Sequence, residues 1–121
     1  MTKVLVVDDD TDILFMLKTF LVLKGFDTKV STGCDEGLDI FYAFKPDIVL
    51  LDVNVGSQDG RVMCRTIKTH ADYKHVPVIL ISANPAGLLS YQDHGADAAV
   101  EKPFNIDALF SLLQSTVAAR K

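Results

Sequence analysis

The chain is 121 residues long, about half of them apolar, with a net charge of −4. That is one domain's length with enough apolar material for a buried core, which excludes disorder; the acidic balance, without any run of Lys and Arg, disfavours direct nucleic-acid contact. No apolar run approaches the roughly 18 residues of a membrane span, and Met1-Thr2-Lys3-Val4 does not open a secretory signal.

Lys3–Val7 is a short β-branched run. A helical stretch follows from Thr11 to Lys24, with Gly25 at the C-cap side. On its wheel Ile13, Met16, Leu17 and Phe20 share a core face, and Phe15 and Val22 lie opposite. Asp27–Ser31 alternates in polarity like an edge strand, and Asp35–Phe44 reads as a helix stopped by Pro46. Ile48–Leu51 and Val78–Ile81 are continuous apolar runs, the pattern of strands buried on both faces. Arg61–Thr69 is helical, a short helix fits Ala86–Asp93, and Ala98–Glu101 is a last strand. Ile106–Val117 is a helix with Asn105 as its N-cap.

Five β-α units in strict alternation predict an α/β fold: a doubly wound, five-stranded parallel sheet with five helices on its two faces. The reading is a single domain over 1–121, with no output domain in this chain. Cys34 and Cys64 show neither metal spacing nor a disulfide framework and are expected as reduced thiols of a cytoplasmic protein. His70, His75 and His94 have no ligand spacing and are expected at the surface.

Ligands of such sheets sit beyond the carboxyl ends of the strands. The first strand ends in Asp8-Asp9-Asp10, the third in Asp52, the fourth in Ser82 and the fifth in Lys102-Pro103. With a strand order of 2-1-3-4-5, strands one and three are neighbours and Asp8, Asp9 and Asp52 converge. Carboxylates so placed repel one another, and a hard divalent cation with oxygen ligands resolves the conflict. A lysine at the same edge adds a second cation, and two cations around one carboxylate suit an anionic phosphoryl group. Asp10 and Asp12 read instead as helix-start carboxylates that complement the dipole.

The sequence resembles the receiver domains of two-component response regulators (the CheY-like family). Val4-Leu5-Val6-Val7-Asp8-Asp9-Asp10 matches the family's first strand and acidic pair, and Ile48-Val49-Leu50-Leu51-Asp52-Val53-Asn54 its phosphoacceptor strand. Asp59-Gly60, Ile79-Leu80-Ile81-Ser82-Ala83, Gly95-Ala96-Asp97 and Lys102-Pro103-Phe104 match in turn, so the likeness covers the whole chain. The resemblance implies that Asp52 is the phosphoacceptor. It implies Mg²⁺ held by Asp9, Asp52 and the backbone carbonyl of Asn54, with Asp8 acting through a water. Lys102, the Ser82 hydroxyl and the Ala83 amide would take the phosphoryl oxygens, and the Lys102-Pro103 bond is a candidate cis peptide.

The implied function is a signalling switch that receives its phosphoryl group from a sensor histidine kinase or phosphotransfer protein. Such a switch is not a turnover enzyme, although it catalyses its own phosphorylation and dephosphorylation. The downstream partner is not implied, and neither nucleic acid nor membrane is expected as one. Alternatives are a receiver that is never phosphorylated and a phosphatase of the haloacid dehalogenase type. Asp12 stands where the latter's motif needs Thr or Val, and the set Asp8, Asp9, Asp52, Ser82 and Lys102 argues against the former. A flavodoxin would need a Ser/Thr/Gly-rich phosphate loop after the first strand.

Three departures from the family pattern bear on output. Val55-Gly56 replaces the usual Met-Pro after the acceptor and is expected to loosen that loop. The stretch from Ser82 to Gly95 is short, and Ala99 stands where an aromatic residue usually does. Without that ring, activation changes are expected in residues 53–60 and 82–90.

Overall fold

The computed structural model describes residues 1–119. Five parallel strands make the sheet: β1 (Lys3–Val7), β2 (Asp27–Ser31), β3 (Ile48–Asp52), β6 (Val78–Ser82) and β7 (Ala98–Glu101), in the order β2-β1-β3-β6-β7. This is the expected 2-1-3-4-5 once a small antiparallel ribbon, β4 (Asn54–Val55) with β5 (Gln58–Asp59), is set aside. β3 and β6 are buried throughout, because helices cover both faces of the central strands.

Helices α1 (Thr11–Leu23) and α4 (Ile106–Ala119) cover one face. Their Leu14, Leu17, Leu21, Leu109 and Leu113 pack on Val4, Val6, Leu50 and Ile79. Helices α2 (Cys34–Phe44) and α3 (Gly60–Thr69) cover the other, where Phe41, Met63 and Ile67 meet Leu5, Val49, Leu51 and Leu80. Asp10 caps α1, accepting from the amides of Asp12 and Ile13 at 2.9 and 3.3 Å, and Asn105 does the same for Asp107 and Ala108 of α4. Gly25, at φ +91°, closes α1 with amide bonds from Gly25 and Phe26 back to Val22 and Leu21.

The structure corrects two expectations. The fourth of the five expected helices does not form as an α-helix: residues 86–93 fold within two 3₁₀ turns, Pro85–Leu88 and Tyr91–His94, so four α-helices remain among the described residues. Pro85 lacks an amide donor, Gly87 weakens the first turn, and Ser90 at φ +55° breaks the run between the turns. The α1 core stripe is also rotated from its predicted place. Leu14, Leu17 and Leu21 are buried, Ile13 and Phe20 are half-buried, and Met16 is exposed beside Phe15 and Val22. Leu14, Leu17 and Leu21 share a buried cluster with Val4, Val6, Ile48 and Leu50 of the sheet, and that contact leaves Met16 outside.

Both cysteines are free and buried. Burial pushes the Cys64 thiol up to about 12 and raises Cys34 as well, so neither carries a reactive thiolate. His70 and His75 are exposed, whereas His94 is half-buried with its Nδ1 facing Arg65. No helix among the described residues is long and apolar enough to cross a membrane.

Candidate functional site

The chemistry-bearing residues meet at the carboxyl edge of β1, β3, β6 and β7. β1 and β3 are hydrogen-bonded neighbours, so the residues that follow or end them, Asp8 and Asp52, stand side by side. Asp8 is 2 % exposed and Asp52 6 %, whereas Asp9 is exposed. One oxygen from each of Asp8, Asp9 and Asp52 lies within 4.8 Å of the others. Lys102 reaches in from the end of β7: its Nζ donates to Asp8 Oδ2 at 2.8 Å and to Asp52 Oδ2 at 3.1 Å. The Lys102-Pro103 peptide is cis, and the Lys102 amide donates to the Ser82 carbonyl at 2.8 Å.

Removing two carboxylates from water is costly, and one ammonium shared between them only partly offsets it. Burial pushes the Asp8 carboxyl above its ordinary range and the Asp52 charge adds to this, against the pull of Lys102 and of the Asp10 amide. Burial pulls the Lys102 ammonium down, but the two carboxylates more than reverse it and the net shift is upward. Pairing alone would lower Asp8; for that buried side chain desolvation wins.

The donor set fits a hard divalent cation. It consists of oxygens only, it carries more negative charge than Lys102 cancels, and exposed Asp9 makes no hydrogen bond or ion pair to any described residue. Ser82 is fully buried at the end of β6, and its Oγ accepts from the Asn84 amide at 3.0 Å. Ala83, next in the chain, is exposed.

The segment after Asp52 folds as a short hairpin. Asn54–Val55 pairs with Gln58–Asp59, and Gly56 at φ +61° takes the first turn position, as in a type II′ hairpin. The Asn54 amide donates to Asp52 Oδ1 at 3.3 Å. Val55 is buried, and Asp59 caps α3 through the Arg61 amide at 2.9 Å. Asp59 is held below its ordinary range by its hydrogen bonds to the Arg61 guanidinium.

Gly60 is required here for steric reasons. A Cβ at this position would lie 1.9 Å from the Asp52 carbonyl oxygen, and the Gly60 amide donates to the Val53 carbonyl at 2.7 Å. The Asp59-Gly60 pair was visible in the sequence as a motif, without this reason for it. Gln58 was not singled out there at all. The available signal was Gly33, an N-cap position with no side chain to cap α2.

Comparison with known proteins agrees with the geometry. The response regulator receiver domain family matches residues 4–114. The transcriptional regulatory protein YxdJ of Bacillus subtilis (strain 168) is 34% identical over 119 residues, covering 97% of this chain and 51% of that protein. The receiver domain of NtrX from Brucella abortus superimposes with a TM-score of 0.87 at 28% identity, over 95% of this chain and 98% of that one. A two-component response regulator from Clostridium difficile shares the fold at a TM-score of 0.88 and 24% identity, over 98% of this chain and 97% of the other. The chain spans about half the length of the curated relatives it matches. With its sheet order, its carboxylate edge and a family match across nearly its whole length, the chain belongs to the response regulator receiver domains, the signalling switches of two-component systems.

Proposed function

We propose that residues 1–121 form one receiver domain that accepts a phosphoryl group on Asp52. The donor is a phosphohistidine of a sensor histidine kinase or phosphotransfer protein. An Asp52 carboxylate oxygen attacks phosphorus, the bond from phosphorus to the histidine nitrogen breaks, and the imidazole leaves. Water later attacks the acyl phosphate, returning the carboxylate and inorganic phosphate. Asp9, Asp52 and the Asn54 carbonyl hold Mg²⁺, with Asp8 acting through a water; the ion supplies charge neutralisation for the transferring group. Lys102 moves from its two carboxylates to a phosphoryl oxygen, and the Ser82 hydroxyl and Ala83 amide take the others. The domain works in the cytoplasm, binds no nucleic acid itself, and passes its state on by changing its affinity for a protein partner.

The observation that carries this reading is Asp52 itself. It is a buried carboxylate at a strand end, 3.1 Å from an ammonium and grouped with two further carboxylates. Fold stability gives no reason to gather that charge. Acetyl phosphate with Mg²⁺ is expected to add one phosphoryl group by intact mass, and Asp52→Asn to abolish the addition. Labelling of that variant at the parental rate would remove Asp52 from the role.

Transfer from a kinase needs a docking face, and α1 offers one. Phe15 is 75 % exposed, with Met16, Val22 and Leu23 exposed on the same helix. Phe15→Ala is expected to slow transfer from the cognate phosphohistidine while leaving acetyl phosphate labelling intact and stability within about 0.5 kcal/mol. Equal slowing with both donors would mean that Phe15 serves the site or the core rather than the partner.

A further inference from the structure

Helix α2 begins without a cap of its own. Gly33 holds the N-cap position in an extended conformation, φ −143° and ψ 156°, and makes no side-chain capping bond. The acceptor for the Cys34 amide arrives instead from 24 residues further along: Gln58 Oε1, at 2.9 Å. Gln58 lies on the second arm of the hairpin, opposite Val55, and the first arm opens with Asn54, whose amide contacts the Asp52 carboxylate. Arms of two residues cannot hold themselves in water. Buried Val55 and the Asp59 cap on α3 secure the hairpin at its own base. The bond to Cys34 is the tie that reaches across to α2.

We propose that Gln58 is a positioning residue for the cation-binding edge: by capping α2 from the hairpin, it holds Asn54 in place against Asp52. The inference rests on the function proposed above. When the tie is cut, the hairpin samples arrangements in which Asn54 is displaced, and the apparent cation affinity falls with the fraction of molecules still competent. Two roles are therefore joined in one bond, an acceptor for α2 and a brace for the site, and they can be separated experimentally.

The test is a Mg²⁺ titration followed by backbone amide chemical shifts, with acetyl phosphate labelling in parallel. The proteins are the parent, Gln58→Ala, Gln58→Glu, and Gln58→Ala combined with Gly33→Ser. Gln58→Ala is expected to bind Mg²⁺ about fivefold more weakly, the population factor that loss of one capping bond allows. Its labelling is expected to be slow at low Mg²⁺ and parental at saturation. Glutamate keeps the acceptor and suits a helix N-terminus, so Gln58→Glu should restore affinity. Gly33→Ser gives α2 a local cap, and a Cβ there has room, with Gln58 Oε1 as its one neighbour within 4 Å, at 3.9 Å. It should restore the melting temperature of Gln58→Ala and leave the Mg²⁺ deficit in place. Recovery of affinity along with stability would reduce Gln58 to a structural cap and overturn the proposal. So would parental Mg²⁺ binding by Gln58→Ala, or a Gln58→Glu variant as weak as alanine. A parent that is labelled while Gln58→Ala matches it at low Mg²⁺ refutes this inference alone; a parent that takes no phosphoryl group refutes the function on which it rests.

Discussion

Replacing Lys102 with methionine is expected to cost the metal-free protein about 3–5 kcal/mol, the usual penalty for breaking a buried ion pair from one side. Asp8 and Asp52 are both almost fully buried, and the Lys102 ammonium bonds each of them at 2.8 and 3.1 Å. Without it two carboxylates share a dry edge with no cation. For a chain of this size the loss corresponds to a fall in melting temperature on the order of 10–20 °C. The pH dependence has a definite sign. Asp8 already sits above its ordinary value because of burial, and losing the ammonium raises it further. A carboxyl whose folded value is raised contributes stability below its unfolded value, near 3.9, and loses that contribution as pH rises through the folded value. The deficit of Lys102→Met should therefore grow from acid toward neutral pH, and Mg²⁺ should stabilise the variant more than the parent. Denaturant unfolding at several pH values, with and without Mg²⁺, measures all three effects. A variant within 1 kcal/mol of the parent at neutral pH would mean that the carboxylates are satisfied without the lysine.

Gly60→Ala should also be severe, against what helix propensity alone suggests. Alanine is better than glycine inside a helix by about 1 kcal/mol. At this position its methyl group would sit 1.9 Å from the Asp52 carbonyl oxygen and 3.0 Å from the carbonyl carbon, both backbone atoms of the acceptor strand. The start of α3 or the end of β3 must move, at a cost of about 3 kcal/mol. The Val53–Gly60 hydrogen bond would be lost in the process, and the Asp52 side chain would shift with its backbone. Acetyl phosphate labelling should fall together with the melting temperature. Gly56→Ala is the control: its positive φ costs about 1–2 kcal/mol, but its Cβ meets nothing within 4 Å. Equal stability of Gly60→Ala and the parent would show that the close approach carries no load.

Much of the fold was legible because buried parallel strands read as unbroken apolar runs, as at Ile48–Leu51 and Val78–Ile81, and because Asn105 and Gly25 mark helix ends by local chemistry. The convergence of Asp8, Asp9, Asp52 and Lys102 followed from strand ends and one topological rule. Strand order entered as a condition, since alternation alone gives a parallel sheet and no sequence of neighbours. Elsewhere local pattern was a poor guide. Residues 86–93 carry the composition of a short helix, but Pro85 and a left-handed Ser90 leave no continuous ladder of amide bonds. The hairpin at 54–59 has arms too short to show a period, and its anchor is an amide on another element. The steric need for Gly60 is a contact between two backbones, which no residue pattern records. The Met16 expectation failed because two apolar stripes overlap on α1, and only the neighbouring strands decide which one is covered.

The pair of 3₁₀ turns between β6 and β7 has a consequence for how this surface can diversify. Neither turn contains a buried residue, and the bonds within the segment join near neighbours, such as Gly87 to Asn84 and Asp93 to Ser90. Leu88 and Tyr91 lean on the core, and Gly95 at φ +86° returns the chain to β7. Gly87 lies against the site, where a Cβ would come 3.3 Å from Ser82 Oγ and from Val53, and the His94 carbonyl accepts from Cys64 Sγ at 3.3 Å. The exposed positions Ala86, Leu89, Gln92 and Asp93 are therefore the ones that can change without disturbing the strand ends on either side, where Ser82 and Lys102 stand. A lineage could change what recognises this flank by substitutions at those positions while keeping the carboxylate edge intact. The outward positions of the two turns are thus open to change, while Gly87 and His94 fasten the segment to the site and to α3.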